Sequence, residues 1–453
     1  MEKITQQSKL NRKLLIFSAP FQGHVTPMLH LANLLYYKGF SISVIQATYN
    51  ALNSTNFPHF TFHLLDDGLS EAYAKYPPPN SFRVLDDMNA NCSEPFRDCI
   101  SQILRDVDAA EKEPVACLIA DPMWMFAGTV ADSFNLPRIA LRTGGLSTFV
   151  VYDSLPLFRE KGYFPIDETK LNEPLLEFPP LKLKDLPAEE HHDLLTSVLR
   201  ETKTSQGMIC NTFEDLEDAP IARLHETLPF PIFPIGPLHK HLPASNVSIW
   251  TEDQTSIDWL NTKAPNSVLY VSFGSVAEMT EAEFNEIAWG LANSEQPFLW
   301  VVRPGLIQGS DKKYTLPDGY KDVVSERGHI VEWAPQQKVL SHPAVGGFWT
   351  HSGWNSTLES ICEGVPMLCL PFFGDQSMNA RFVSGKWKAG LQLEKGMKRE
   401  EIEKAIRKLM VEEDGKEMRN RITCLKEKAN LCLMKDHSSY RSLDKLIRYI
   451  LEL

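Results

Sequence analysis

At 453 residues, 43% of them apolar, the chain is too long for one ordinary domain and rich enough for two full cores. Its net charge of −12 excludes nucleic acid and anionic membrane surfaces as natural partners, since both repel an acidic protein. No window carries the long uncharged apolar run of a membrane helix, and the polar start MEKITQQSKLNRK does not read as a signal peptide. Eight cysteines show no CxxC or zinc-ligand spacing, and several sit in apolar runs, so a reducing, cytoplasmic setting is expected.

Lys13 to Ala19 is a short continuous apolar run, the pattern of a buried parallel strand. The loop Pro20-Phe21-Gln22-Gly23-His24 follows. A helix is predicted from Thr26 to Lys38, with Met28, Leu29, Leu31, Leu34 and Leu35 at helical spacing and Gly39 as its stop. A strand from Ser41 to Gln46 completes a βαβ unit. His24 is therefore expected in the loop leaving the first strand of a doubly wound sheet, on the side where such sheets bind ligands. One of thirteen histidines in a loop is ordinarily a solvated side chain; the strand-end position and the preceding glycine single this one out.

Ala116 to Ala120 reads as another strand, ending at Asp121. A carboxylate there can hold one imidazole N–H, fix the tautomer and stabilise the imidazolium. The same residue also suits the cap of a helix beginning at Pro122. Arg138 to Leu141 is a further strand with Thr143-Gly144-Gly145 as its exit loop. Phe21, Met123, Trp124, Phe126 and Phe149 fit the apolar wall of a small-molecule pocket and ordinary core equally well. Asp66 to Pro95 and Tyr163 to His192, rich in proline, charge and aromatics, are expected to line such a pocket. Asp106-Val-Asp108 has the spacing of a metal-binding carboxylate pair. It lies in a polar helical stretch, Ile103 to Glu113, with no strand before it, and reads as a solvated helix face. No metal is expected.

Met208 to Asn211 is a late strand, and Phe233 to Pro237 marks the end of the first half. The second half opens with the strand Ser267 to Ser272, which runs into Phe273-Gly274-Ser275. A helix follows from about Thr280, capped by Thr280-x-x-Glu283, and its N-terminus offers an anion site. Strands are predicted at Phe298 to Val302, at Ile330 to Trp333 and at Ala344 to Thr350. The tight turn His351-Ser-Gly-Trp354 leads to a helix opening near Asn355, then to a strand from Val365 to Leu370. Gly353 allows close backbone approach. Asn355, Ser356 and Thr357 place N–H groups and hydroxyls at a helix N-terminus, suited to phosphate, with His351 as a further donor. Ser356-x-x-Glu359 also reads as a capping box. Trp333 at a strand end offers a stacking face, and Asp375-Gln376 lies past another strand, so that base, diphosphate and sugar would be met in that order. Asn379 to Trp387, Arg399 to Glu412 and an amphipathic Ser439 to Leu451 are predicted helices.

From Trp333 to Gln376 the sequence resembles, without a gap, the signature box of plant family-1 glycosyltransferases, and the resemblance extends over nearly the whole chain. It implies an α/β fold of the GT-B type, two Rossmann-like doubly wound domains facing a cleft. The first would span 1–237, rejoined by the closing helix at 436–453; a linker at 238–253 precedes the second, at 254–435. The resemblance further implies a monomer that needs no cofactor and takes UDP-glucose as co-substrate and a small molecule as acceptor. By it, Trp333 stacks on uracil and the Ala334 backbone pairs with its edge. Gln336 and Glu359 hold the ribose; His351, Asn355 and Ser356, with Ser275, meet the diphosphate. Trp354, Asp375 and Gln376 take the sugar, a set that goes with glucose, and Thr143 contacts it as well.

The Pro20 to His24 stretch is similar to the family's catalytic-base motif, with Asp121 as the partner of His24. Phe21, Gly23, Met123, Trp124, Gly144, Phe149 and Phe373 are then expected around the acceptor, although Gly144 and Gly145 depart from the hydroxyl-bearing residues common there. The nearest branch is that of cytokinin N-glucosyltransferases and steviol-glycoside glucosyltransferases; Asp67 to Glu71, Ser93 to Arg97 and Leu118 to Asp121 lean to the cytokinin side. Two other readings stand beside this one. A non-catalytic nucleotide-sugar or small-ligand-binding protein would keep the box without turnover. A nicotinamide oxidoreductase lacks its G-x-G-x-x-G after a strand.

Overall fold

The computed structural model describes residues 9–69, 81–109, 113–243, 248–309, 314–394 and 396–453. The polar start, Ser70 and Glu71, the end of the polar helical stretch, the Asp108 side chain and the middle of the predicted linker lie outside the described residues. Two compact units divide the chain: Met1–Leu155, Glu190–Ile249 and Cys432–Leu453 form the first, Pro156–Glu189 and Trp250–Leu431 the second. The stretch from Pro156 to Glu189, read from sequence with the first domain, thus groups with the second.

The first unit is built on seven parallel strands: β1 (Lys13–Phe17), β2 (Ser41–Ala47), β3 (Thr61–Leu65), β4 (Val115–Ala120), β5 (Arg138–Arg142), β6 (Gly207–Cys210) and β7 (Ile232–Pro234). Their order is β3-β2-β1-β4-β5-β6-β7. Phe233 to Pro237 is therefore not merely an end marker, since its first two residues belong to β7. The helices are α1 (Gln22–Tyr37), α2 (Ser81–Ala109), α3 (Ala127–Ser133), α4 (Leu146–Asp153), α6 (His192–Lys203) and α7 (Glu214–Thr227). Between α4 and α6, α5 (Leu155–Glu160) begins at the last residue of the unit's opening stretch and falls otherwise in the second unit. The continuous apolar strands are covered on both faces. Leu14 and Ile16 point into a core with α1, while Leu15 and Phe17 point into one with α2. The chain winds outward through β2 and β3, then returns to the other side of β1 for β4. The switch point, where such sheets bind ligands, is thus between β1 and β4.

The second unit repeats the plan with β8 (Val268–Ser272), β9 (Phe298–Val301), β10 (Gly328–Val331), β11 (Val345–Thr350), β12 (Met367–Cys369) and β13 (Gly390–Gln392), ordered β10-β9-β8-β11-β12-β13. Its helices are α8 (Thr255–Leu260), α9 (Glu281–Ser294), α10 (Tyr320–Val324), α11 (Gln336–Leu340), α12 (Trp354–Glu363), α13 (Gln376–Arg381), α14 (Arg399–Met410) and α15 (Glu413–Cys432). The switch point lies between β8 and β11, whose ends are level, Ser272 pairing with Thr350. α13 passes into a π-turn at Phe382–Lys386 instead of running on to Trp387 as one helix, and the twenty-residue α15 has no counterpart in the sequence reading. The last helix, α16 (Ser438–Glu452), returns to the first unit. It buries Leu443, Leu446 and Ile450 in that unit's core, and its Ser439 hydroxyl donates to the Gly236 carbonyl.

Candidate active site

In the first unit the end of β1 and the end of β4 are level, Phe17 pairing with Ala120, so that the residues next in line share the switch point. His24 sits in the first turn of α1, which opens at Gln22, rather than in the loop before it. Its Nδ1 lies 2.6 Å from Oδ2 of the buried Asp121. A carboxylate at that distance draws the proton to Nδ1 and leaves Nε2 as the nitrogen that takes a proton. Asp121 does not cap a helix starting at Pro122, because α3 begins only at Ala127. It caps the intervening turn instead, with Oδ1 accepting from the Met123 N–H at 3.0 Å. Thr143 Oγ1, past the end of β5, stands 3.3 Å from the same His24 nitrogen.

Two clamps that local sequence patterns do not announce hold these loops. Asn89 on α2 accepts from the Met125 N–H and donates to the Met123 carbonyl. Glu217, fully buried, accepts from Leu146 N and Ser147 N and so caps α4, the helix that follows Thr143. Of the residues expected around an acceptor, Phe21, Met123 and Gly144 are half-buried and Gly23 is exposed. Trp124 and Phe149 are not wall residues but core. Trp124 is fully buried and stacks on Phe17 at 4.5 Å, because the apolar inner face of the sheet needs a large flat partner there. Phe149 lies inside α4's buried face.

In the second unit His351 leaves β11 and is enclosed by two glycines. A Cβ on Gly274, whose φ is +72°, would come within 2.7 Å of its ring, and one on Gly353 within 2.5 Å. Burial, with a contribution from Arg303, pushes the imidazole's pKa down to about 4, so it is neutral at pH 7. Ser275 lies half-buried in the Gly274 loop, but it is not at a helix start. α9 begins at Glu281 and closes its own end through the reciprocal Thr280–Glu283 box. α12 is different: its N-cap is Gly353, with no side chain closing the end.

The Ser356–Glu359 capping box is therefore not formed. Ser356 is already inside the helix, and Glu359 accepts from Gln336 at 2.6 Å and from Gln337 at 3.2 Å. Gln336 also donates to Ser356 Oγ at 3.0 Å and accepts from Tyr270. Gln336, Ser356 and Glu359 are thus one connected group, with the Glu359 pKa raised by burial. Trp333 follows β10, half-buried, and one side of its indole stacks on Trp250 at 5.5 Å, a partner missed in the sequence. Ala334 is buried beside it. Trp354 is buried at the start of α12, and Asn355 next to it is half-buried. Asp375 is the N-cap residue of α13, and Phe373 is half-buried two residues earlier. Gln376 turns its carbonyl back to accept from Phe372 N and Phe373 N, which leaves its amide N–H groups as its donors. Asp106 is exposed on α2 and accepts from Gln102 one turn earlier.

Two Rossmann-like parallel sheets, each with its own switch point, make a fold of the GT-B class. A family profile described as "UDP-glucoronosyl and UDP-glucosyl transferase" matches residues 245–429. UDP-glycosyltransferase 76B1 of Arabidopsis thaliana is 46% identical over 97% of this chain and 98% of its own length. Among solved structures, a UDP-glucose: anthocyanidin 3-O-glucosyltransferase in complex with UDP matches with a TM-score of 0.84 and 26% identity, covering 98% of this chain and 100% of that one. UGT2 of Phytolacca americana, complexed with UDP-2fluoro-glucose and pterostilbene, matches with a TM-score of 0.79 and 27% identity, covering 98% and 100%. The chain belongs to the plant family-1 UDP-glycosyltransferases and is an enzyme of that family.

Proposed function

We propose that this enzyme transfers glucose from UDP-glucose to a hydroxyl or nitrogen of a small hydrophobic or aromatic plant metabolite, inverting the anomeric centre and using no metal. Acceptors of this kind include a cytokinin-like hormone, a phenolic or flavonoid, or a terpenoid, already glycosylated or not. The observation that carries the reading is the 2.6 Å pairing of His24 with Asp121 at the β1–β4 switch point. His24 Nε2 takes the proton of the nucleophile as it attacks the anomeric carbon from the face opposite UDP, and Asp121 stabilises the imidazolium that results. UDP leaves in the same displacement. Trp333 stacks on the uracil, the Gln336–Glu359 pair holds the ribose, and the N-terminus of α12 meets the diphosphate. Trp354, Asp375 and the amide of Gln376 take the sugar hydroxyls. The Phytolacca relative, with its fluorinated UDP-glucose and a stilbene, supports both the donor and the acceptor class.

The test is incubation with UDP-glucose and a panel of phenolic, terpenoid and purine acceptors, with UDP release and product mass as readouts. Glucosylated product with at least one acceptor, undiminished by EDTA, is the expected result. UDP binding without release from any acceptor favours a silent binding protein, and loss of activity in EDTA restored by Mn²⁺ overturns metal independence.

A further inference from the structure

The reading above leaves the leaving diphosphate facing a neutral His351 and a helix end that carries only a partial charge. A full positive charge is nevertheless built into this corner of the second unit. Arg303, two residues past β9, is 7% exposed. Its Nε donates to the Gly274 carbonyl at 3.1 Å, Nη1 to the Pro304 carbonyl at 3.0 Å, and Nη2 to the Ala277 carbonyl. All three bonds end on backbone oxygens, and among the described residues no carboxylate forms an ion pair with the guanidinium. Glu278 is felt only at a distance. Burial lowers its pKa to about 10, which still leaves it charged at pH 7.

A buried cation without a counter-ion is costly unless something anionic visits it. Stability alone does not explain it, since an uncharged donor can hold a carbonyl. Gly274, whose carbonyl receives the Nε bond, is one of the two glycines pressed against the His351 ring.

We infer that Arg303 is a positioning residue for the diphosphate: a buried, fixed cation that clamps the Gly274–Ala277 loop against His351 and supplies the positive field into which UDP departs. The inference rests on the donor-site reading given above and deepens it. The guanidinium fork fixes the loop through two of its carbonyls, Gly274 and Ala277, while the third bond to Pro304 steadies the fork itself. Its charge acts on the site through His351 and the Gly274 peptide rather than by touching the sugar nucleotide.

The experiment compares UDP and UMP affinities of the full-length wild type, Arg303→Gln and Arg303→Lys by calorimetry, with thermal unfolding run on each. Removing the charge in Arg303→Gln is expected to weaken UDP by about tenfold or more, the size of one unit charge in a partly buried site, and UMP by clearly less. Arg303→Lys, which keeps the charge but not the fork, should retain most of the preference for UDP over UMP. Equal losses for both nucleotides in both variants, or no loss at all, overturn the inference in favour of a purely structural arginine. Should Arg303→Gln fail to fold, Arg303→Lys decides alone: a retained UDP preference supports the inference and a lost one overturns it. Wild-type protein that binds no UDP overturns the donor-site reading and this inference with it.

Discussion

His24 and Trp333 carry the sharpest expectations because the proposed mechanism gives each one chemical job. His24→Ala removes the proton acceptor while leaving the second unit untouched. Turnover should fall by roughly 10²–10⁴, the usual worth of general-base help, while UDP affinity measured by calorimetry stays within about twofold. A large loss of UDP binding would reassign its role. Trp333→Ala removes the stacking face, and UDP binding should weaken by about 1–3 kcal/mol, as for other base–aromatic stacks. Unchanged affinity would mean that the indole only packs on Trp250. These two residues were legible in the sequence because each follows a strand inside a dense local motif, Trp333 just past β10 and His24 in the first turn of the helix after β1. Asn89, Glu217, Trp250 and Arg303 were not. Each acts on a partner 26 to 83 positions away in the sequence, and no local pattern marks such a partner.

At the scale of elements, α16 is the clearest case of a segment whose place follows from its pattern. Leu443, Leu446 and Ile450 recur at helical spacing and are buried, while the opposite side of the helix is charged. Leu446→Ala should cost about 2–5 kcal/mol by cavity formation, read as a shift of the urea midpoint at unchanged slope. An effect below about 1 kcal/mol would show that the helix is peripheral to that core. Helix starts were less legible. α1 opens at Gln22, four residues before the predicted start, because Phe21 takes an extended N-cap conformation without any capping side chain to announce it. α12 likewise starts at Trp354 from a glycine cap, so the tempting Ser356–Glu359 spacing is spent on Gln336 and Gln337 instead.

For the molecule as a whole, acid should be a specific weakness. In the first unit His30 is buried and His239 and His241 are half-buried. Burial, with repulsion from His241, holds His30 down to about 4, from 6.5; burial with the neighbouring histidines and Lys240 lowers His239, and burial with Lys38 lowers His241. The unfolded chain takes up these protons as pH falls below 6.5, whereas the folded chain resists them, His30 until near 4. Stability is therefore full above about pH 6.5 and lost progressively between there and pH 4. Depressed carboxylates such as Glu394, held at about 2 by Arg381 and Lys184 against its burial, add their loss only at lower pH. Unfolding midpoints measured from pH 7.5 to 4.5 should fall across that window, and a flat profile would contradict the assignment.

The amino-acid sequence alone determined that there are two doubly wound α/β halves and that Trp333 to Gln376 resembles the family's signature box. These follow from runs of a few residues whose periodicity and turn chemistry are local. Tertiary structure alone decided which distant segments close on those ends. Pro156 to Glu189 joins the second unit through the buried Asp185–Arg381 ion pair, Glu217 reaches back to α4, and Arg303 is folded under the Gly274 loop. Such contacts arise when buried donors and charges must each find a partner within packed layers, and that requirement is satisfied in space rather than along the chain.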